Sequence, residues 1–395
     1  MHLPITKPFI TQEEFNLIQK PLQSGWLVQG PMVKEFEKKI ADYTGAKYAV
    51  AVNSCTSGQF IMSRIIGLEP GDEVVIPAFT WISTANAAEF LGAKAVFCDI
   101  ELDTFNIDVQ DMEQRINERT KAIFPVTLFG LPPDLPFIKD VANRYNLKIA
   151  EDCACGLGGK IKNQHCGLFG EGGVLSFHPR KSITTGEGGM IITNSEEVFK
   201  KARSLREHGA VKSDYERHTG IKSFELTEYP DLGYNMRLTD LQAAMGVAQA
   251  NKIETIFSRK KQLAKEFDQR IGKMSWLAYP KVPGGYSHGY QAYCTLFKPD
   301  ETLKAVANRD QSTIDRLHTE RNVVMEFLEK RGISTRPGTH AVHIQDYYRN
   351  KYPLHPMDFP NAYAADRLTI ALPFFPTMKE EEVNYLFKIL EEVKI

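Results

Sequence analysis

Apolar and polar positions along the chain fall into two alternating rhythms. TQEEFNLIQKPL (11–22) opens with a threonine cap and acidic residues and predicts a short helix. GWLVQGPMV (25–33) is a glycine-bounded loop, and VKEFEKKIADYTG (33–45) is an amphipathic helix that stops at Gly45. AKYAVAVNS (46–54) is a short buried strand, and CTSGQFIMSRIIGL (55–68) is the helix after it. PGDEVVIPAFTW (70–81) gives a turn and a strand, and ISTANAAEFLG (82–92) another helix. AKAVFCDI, KAIFPVTLF and LKIAED continue as strands, with helices near 109–117 and 135–146 between them. In VLSFHPRKSITTGEGGMIITN (174–194) two apolar strands flank a turn and a glycine-rich loop. Such alternation predicts a mainly parallel sheet covered by helices, with ligands at the carboxyl ends of its strands.

The C-terminal part has a different texture. Residues 238–271 read as one long amphipathic helical stretch leading into a smaller α/β domain, so the expected division is 1–250 and 251–395. YQAYCTLF (290–297) and the segment around Arg336 read as strands, and RNVVMEFLEKRG (321–332) and KEEEVNYLFKILEEV (379–393) as helices. The polar stretch 299–311 reads as a surface insertion.

Composition narrows the class. With 395 residues, 43% of them hydrophobic, the chain can bury a substantial core. A formal net charge of −1 supplies no global field for nucleic acid or an acidic membrane. The six cysteines show no CxxC pair, which predicts reduced thiols and no structural zinc, the cluster of Cys153, Cys155, His165 and Cys166 included. No apolar run approaches the ~20 residues of a membrane span, and the N-terminus lacks the pattern of a signal peptide. The expectation is a cytoplasmic globular protein without a metal.

The polar residues gather at the predicted strand ends. After AVAV comes Asn53-Ser54-Cys55-Thr56-Ser57-Gly58, where backbone N–H groups, hydroxyls and a helix dipole suit a phosphate, although an ordinary helix cap reads the same way. Trp81 follows the next strand and could cover a planar ring. Glu151-Asp152 puts a carboxylate at the end of LKIA. Ser176 and Lys181 flank the His178-Pro179 turn. On that stretch alone Lys181 is a surface lysine in a turn, but a partly desolvated lysine there can trap a carbonyl. No GxGxxG or GxxxxGK[ST] supports a dinucleotide or P-loop reading. Lysine, strand-end acid, aromatic and phosphate cradle share one logical ligand, pyridoxal phosphate, whose aldehyde a lysine binds and whose ring nitrogen an acid holds protonated.

With these residues in view, the chain resembles the DegT/DnrJ/EryC1/StrS family of pyridoxal-phosphate-dependent sugar aminotransferases of fold type I. The resemblance rests on SGWLVQGP (24–31), NSCTSG (53–58), PGDEVVIPAFTWISTANA (70–87), DTFNID (103–108), EDCACGLGG (151–159), SFHPRKSITTGEGGM (176–190), LREHG (205–209), GYNMRLTDLQAA (233–244) and ALPFFPTM (371–378). It implies a large cofactor domain and a smaller C-terminal α/β domain. Lys181 would carry the Schiff base and shuttle protons, Asp152 would pair with the ring nitrogen, and Trp81 would stack on the ring. Thr56, Ser57 and Ser176 would hold the phosphate. Asn235, in GYNMR, would reach the phosphate of a neighbouring subunit, making a homodimer with shared sites. The implied substrates are an amino acid, L-glutamate by family habit, and the keto group of a nucleotide-linked sugar, with pyridoxamine phosphate between the two halves of the reaction.

Two positions depart from the family pattern. Cys155 stands where the family usually has Gln or His near the ring hydroxyl, and a thiol is a weak hydrogen-bond partner. Thr127 replaces the commoner His in PVTLFG (125–130). The lysine at 181 favours amino transfer over the family's sugar dehydratases, which carry histidine there. A dehydratase and a non-catalytic cofactor-binding regulator remain the alternatives. His178 reads as a packing residue beside the cofactor, and His340 and His343 as either substrate-facing or structural.

Overall fold

The computed structural model describes residues 1–219 and 226–394. Its centre is a seven-stranded sheet in the spatial order Tyr48–Val52, Gly189–Thr193, Gly172–Ser176, Lys148–Cys153, Thr120–Ile123, Glu73–Pro77, Lys94–Cys98. All strands run the same way except Gly189–Thr193, which pairs antiparallel with both neighbours. Val74, Val75 and Ile76 of one central strand are wholly buried, as a sheet covered on both faces requires. This is the mixed α/β architecture read from the alternating pattern.

The helices begin and end where the local chemistry predicts. Thr11 and Glu14 form a reciprocal capping box at the start of Gln12–Ser24, and Gly25 closes it in the left-handed conformation. Pro31–Thr44 has no side-chain cap of its own. Instead the buried Asp240 carboxylate accepts from the N–H groups of Gly30, Met32 and Val33, bringing a remote residue to the helix's positive end.

Three C-terminal expectations change. The stretch 238–271 is two helices, Asp240–Asn251 and Ile253–Ile271, broken at Lys252 where the backbone leaves helical geometry. Residues 299–311 lie at the surface but are mostly helical: Pro299–Ala307 is a helix that buries Thr302 and Ala305, and Gln311–Glu329 follows it after a short turn. A polar sequence hides a helix whenever two small apolar or hydroxyl positions suffice to dock it. Around Arg336 there is only a single bridge to Ala371, not a strand. The true C-terminal sheet is Leu277–Ala278, Tyr293–Phe297 and Thr369–Leu372. Among the described residues no helix is long and apolar enough to cross a membrane.

Candidate active site

Adjacent residues of a strand face opposite sides, and the strand Lys148–Cys153 uses this to separate two carboxylates. Glu151 turns into the interior, where it accepts from the N–H groups of Gly167, Phe169 and Gly170, and burial pushes its carboxyl up to about 7. Asp152 faces the other way, toward Thr84, whose hydroxyl donates to its Oδ2 at 2.5 Å. Its Oδ1 accepts from the N–H of Ala154 at 2.9 Å. Its backbone is clamped as well, donating to Pro125 and accepting from Thr127. Thr127, at the position where histidine was the family habit, therefore serves the strand end through its main chain.

Lys181 approaches from the turn after Gly172–Ser176. That turn is closed by the Lys181 N–H on the His178 carbonyl and by the Thr185 N–H on the Phe177 carbonyl. The Lys181 ammonium donates to Cys155 Sγ at 3.2 Å, so the structure brings together the lysine and the thiol, with the strand-end acid near enough for its charge to act on the amine. Burial acts to lower the ammonium, but Cys155, Cys55 and Asp152 together outweigh it and hold the amine above its ordinary value. His178 is a turn residue, its Nδ1 accepting from the Arg180 N–H, and burial lowers it.

The phosphate cradle forms at the same edge of the sheet. Ser54 caps the helix Cys55–Ile65: its Oγ accepts from the Ser57 N–H at 3.1 Å and lies 2.9 Å from the Ser57 hydroxyl. Thr56 lies in that first turn, half-buried like Ser57. Ser176 pairs with Gly189 across the sheet. A Cβ at Gly189 would fall 2.6 Å from the Ser54 carbonyl carbon and 2.7 Å from the Cys55 nitrogen, so only glycine lets Ser176's strand neighbour come this close to the helix start.

Trp81 follows the strand Phe79–Thr80 and remains 55% exposed, its ring 5.8 Å from that of His340. The Trp81 carbonyl accepts from the Thr84 N–H, so the exposed indole and the Asp152 carboxylate are joined through one threonine. Of the two histidines, His340 reaches this rim. His343 is interior, bonded through Nε2 to the Pro356 carbonyl and packed on Phe359. Asn235 is exposed, on a segment that pairs with 205–208 and whose Met236 carbonyl accepts from the Asn53 N–H, just before the cradle.

The sequence profile of the DegT/DnrJ/EryC1/StrS aminotransferase family matches residues 8–391. The chain belongs to that family. The spore coat polysaccharide biosynthesis protein SpsC of Bacillus subtilis is 33% identical over 391 residues, covering 99% of this chain and 97% of SpsC. Helicobacter pylori PseC, an aminotransferase involved in pseudoaminic acid biosynthesis, superposes with a TM-score of 0.88 at 25% identity, over 99% of each chain. Spr1654 of Streptococcus pneumoniae, a candidate sugar aminotransferase, in its pyridoxamine-phosphate form gives 0.87 at 26% identity, over 99% of this chain and 98% of that one. The protein is thus an enzyme of a pyridoxal-phosphate-dependent sugar aminotransferase family, with fold type I architecture.

The residues present suit that cofactor. An amine beside a carboxylate, an exposed indole and a hydroxyl-rich helix start match an aldehyde, a ring nitrogen, a flat ring and a phosphate. Two neighbours of these residues escaped the sequence reading. Thr84 had a signal, since it opens a helix three residues after Trp81. Lys260, buried beside the Lys181 turn through Ser182, had none, because it sits inside the basic run 259–261.

Proposed function

We propose that the enzyme moves an amino group from an amino acid, L-glutamate first among candidates, to the keto group of a nucleotide-linked sugar. Support comes chiefly from one observation: the lysine at 181, rather than a histidine, points its amine at Cys155 on the side of the sheet where Asp152 ends its strand. Pyridoxal phosphate, when bound, supplies the electron sink that makes the amino acid's α-proton removable. Lys181 is the amine that would hold the cofactor, and it would take and return that proton as general base and acid. Asp152, aimed by Thr84, would keep the ring nitrogen protonated. Thr56, Ser57 and Ser176 would hold the phosphate, and Trp81 would cover the ring face. His340, beside Trp81, stands at the rim where a sugar would enter.

Incubation of the purified protein with pyridoxal phosphate and L-glutamate tests the first half. Formation of 2-oxoglutarate, followed by amination of a nucleotide-linked ketosugar, is the expected result. A deoxygenated sugar product would mean a dehydratase. Cofactor retention without turnover for any amino donor would mean a non-catalytic binder.

A further inference from the structure

The helix Ile253–Ile271 buries a stripe made of Ile256, Phe257, Lys260, Leu263, Ala264 and Phe267. A lysine in the middle of an apolar stripe is costly unless it does something there. Lys260 is 3% exposed, and its Nζ donates to Ser182 Oγ at 3.1 Å and to the Tyr290 carbonyl at 3.0 Å. Ser182 directly follows Lys181. Among the described residues no carboxylate pairs with Lys260. The groups facing it are Cys155 beyond the strand Lys148–Cys153, His288 and Tyr290 on the segment 288–291, Ser182, and the Phe374 ring at 5.9 Å. The segment 288–291 has a second hold on the same turn, since Gln291 Nε2 donates to the Arg180 carbonyl at 2.8 Å.

We propose that Lys260 is a positioning residue for Lys181, pinning the turn that carries it to the segment 288–291 through Ser182 and Tyr290. The donor count fits a neutral amine. It has two N–H bonds, and two oxygen acceptors are provided, whereas among the described residues a third proton would face only the Phe374 ring. Burial, only partly opposed by Cys155, accordingly lowers this amine to about 7. Burial first, and then the Lys260 charge at pH values below 7, push His288 down to about 3, so the imidazole is neutral wherever the Lys260 amine is. The proposal rests on the reading of Lys181 as the cofactor lysine.

Three readouts on Lys260→Met test it. In the cofactor-loaded enzyme the pH midpoint of the visible absorbance should move by roughly half a unit or more, because the amine's surroundings change. Turnover should fall roughly 10- to 100-fold while KM for the amino donor stays within about threefold, as a misplaced reacting group predicts. In the cofactor-free protein, Tm of the wild type should gain a rising contribution between pH 7 and 10, and the variant should lose it. The sign follows from linkage: the unfolded lysine keeps its proton above pH 7 while the folded one releases it, so stability rises with pH across that window. Ser182→Ala removes one acceptor without touching the helix core and should shift midpoint and turnover in the same direction; it decides the matter should Lys260→Met not fold. A lower Tm with unchanged midpoint and turnover would reduce Lys260 to a structural residue and overturn the proposal. A wild-type protein that forms no covalent cofactor linkage would overturn the reading of Lys181 itself, a result visible before any variant is made.

Discussion

The hydroxyl of Thr84 donates to Oδ2 of Asp152 across two elements, a helix's first turn and the end of a central strand. The carboxylate is therefore aimed by a residue 68 positions away in sequence. Thr84 is wholly buried, and its other neighbour is the Thr80 hydroxyl at 3.2 Å.

Thr84→Val keeps the shape and deletes the donor. A hydrogen bond to a charged group contributes about 1.5–3 kcal/mol, so turnover should drop roughly 10- to 100-fold with the fold intact. Thr84→Ser should restore most of it. Steady-state kinetics with circular dichroism as the folding control decide this, and wild-type turnover in the valine variant would detach Thr84 from the site.

Asp152→Asn acts one step further in. The amide can still bond to the ring nitrogen but no longer favours its protonated form. Cofactor should remain bound after dialysis while both half-reactions slow. Equal rates in single-turnover experiments would remove Asp152 from the chemistry.

Lys181→Ala should abolish the borohydride-trapped cofactor adduct. The informative control is peptide mapping of the reduced wild-type protein, because Lys260 is a second buried amine within the same neighbourhood. An adduct mapped to Lys260 would exchange the roles assigned to the two lysines.

Much of this site was legible because its parts lie at strand ends, and strand ends are marked by a change from apolar to polar residues. Asp152 and Lys181 each follow such a run, and Gly189 marks a place where a side chain would collide with the Ser54–Cys55 backbone. What escaped was set by tertiary packing. Lys260 reads as one of three solvated basic residues, 259–261, and only the three-dimensional stripe shows it buried. The split of 238–271 into two helices was hidden for a similar reason: Lys252 is an ordinary helix former, and what it does instead is reach Glu14 and the Phe9 carbonyl. His343 looked as available as His340, yet one is sealed against Phe359 and the other lies beside Trp81.

Cys155 differs from the other five cysteines in being only half-buried. A cysteine-directed alkylating reagent should modify it first, and bound cofactor should slow the reaction because Cys155 lies against Lys181. Mass spectrometry of partly labelled protein, with and without pyridoxal phosphate, measures both effects. First labelling at Cys55 or Cys153, both buried, would contradict the half-buried placement of Cys155.

Asn235 poses the last question, because it is exposed in the single chain and its segment runs next to Asn53, where the phosphate cradle begins. If it completes the pocket of a second copy, one subunit alone has an unfinished site. Mixing Lys181→Ala chains with Asn235→Ala chains then gives hybrids with two unlike pockets. One takes an unmutated lysine from one chain and an unmutated asparagine from the other, while its twin lacks both. Activity should rise above that of either parent and reach at most about one working site per hybrid dimer. If Asn235 serves its own subunit, every hybrid pocket carries one defect and mixing restores nothing. Subunit exchange has to be verified separately, with differently tagged chains purified in tandem. A flat mixing curve in verified hybrids would return Asn235 to its own chain and leave Lys181 and Asp152 untouched.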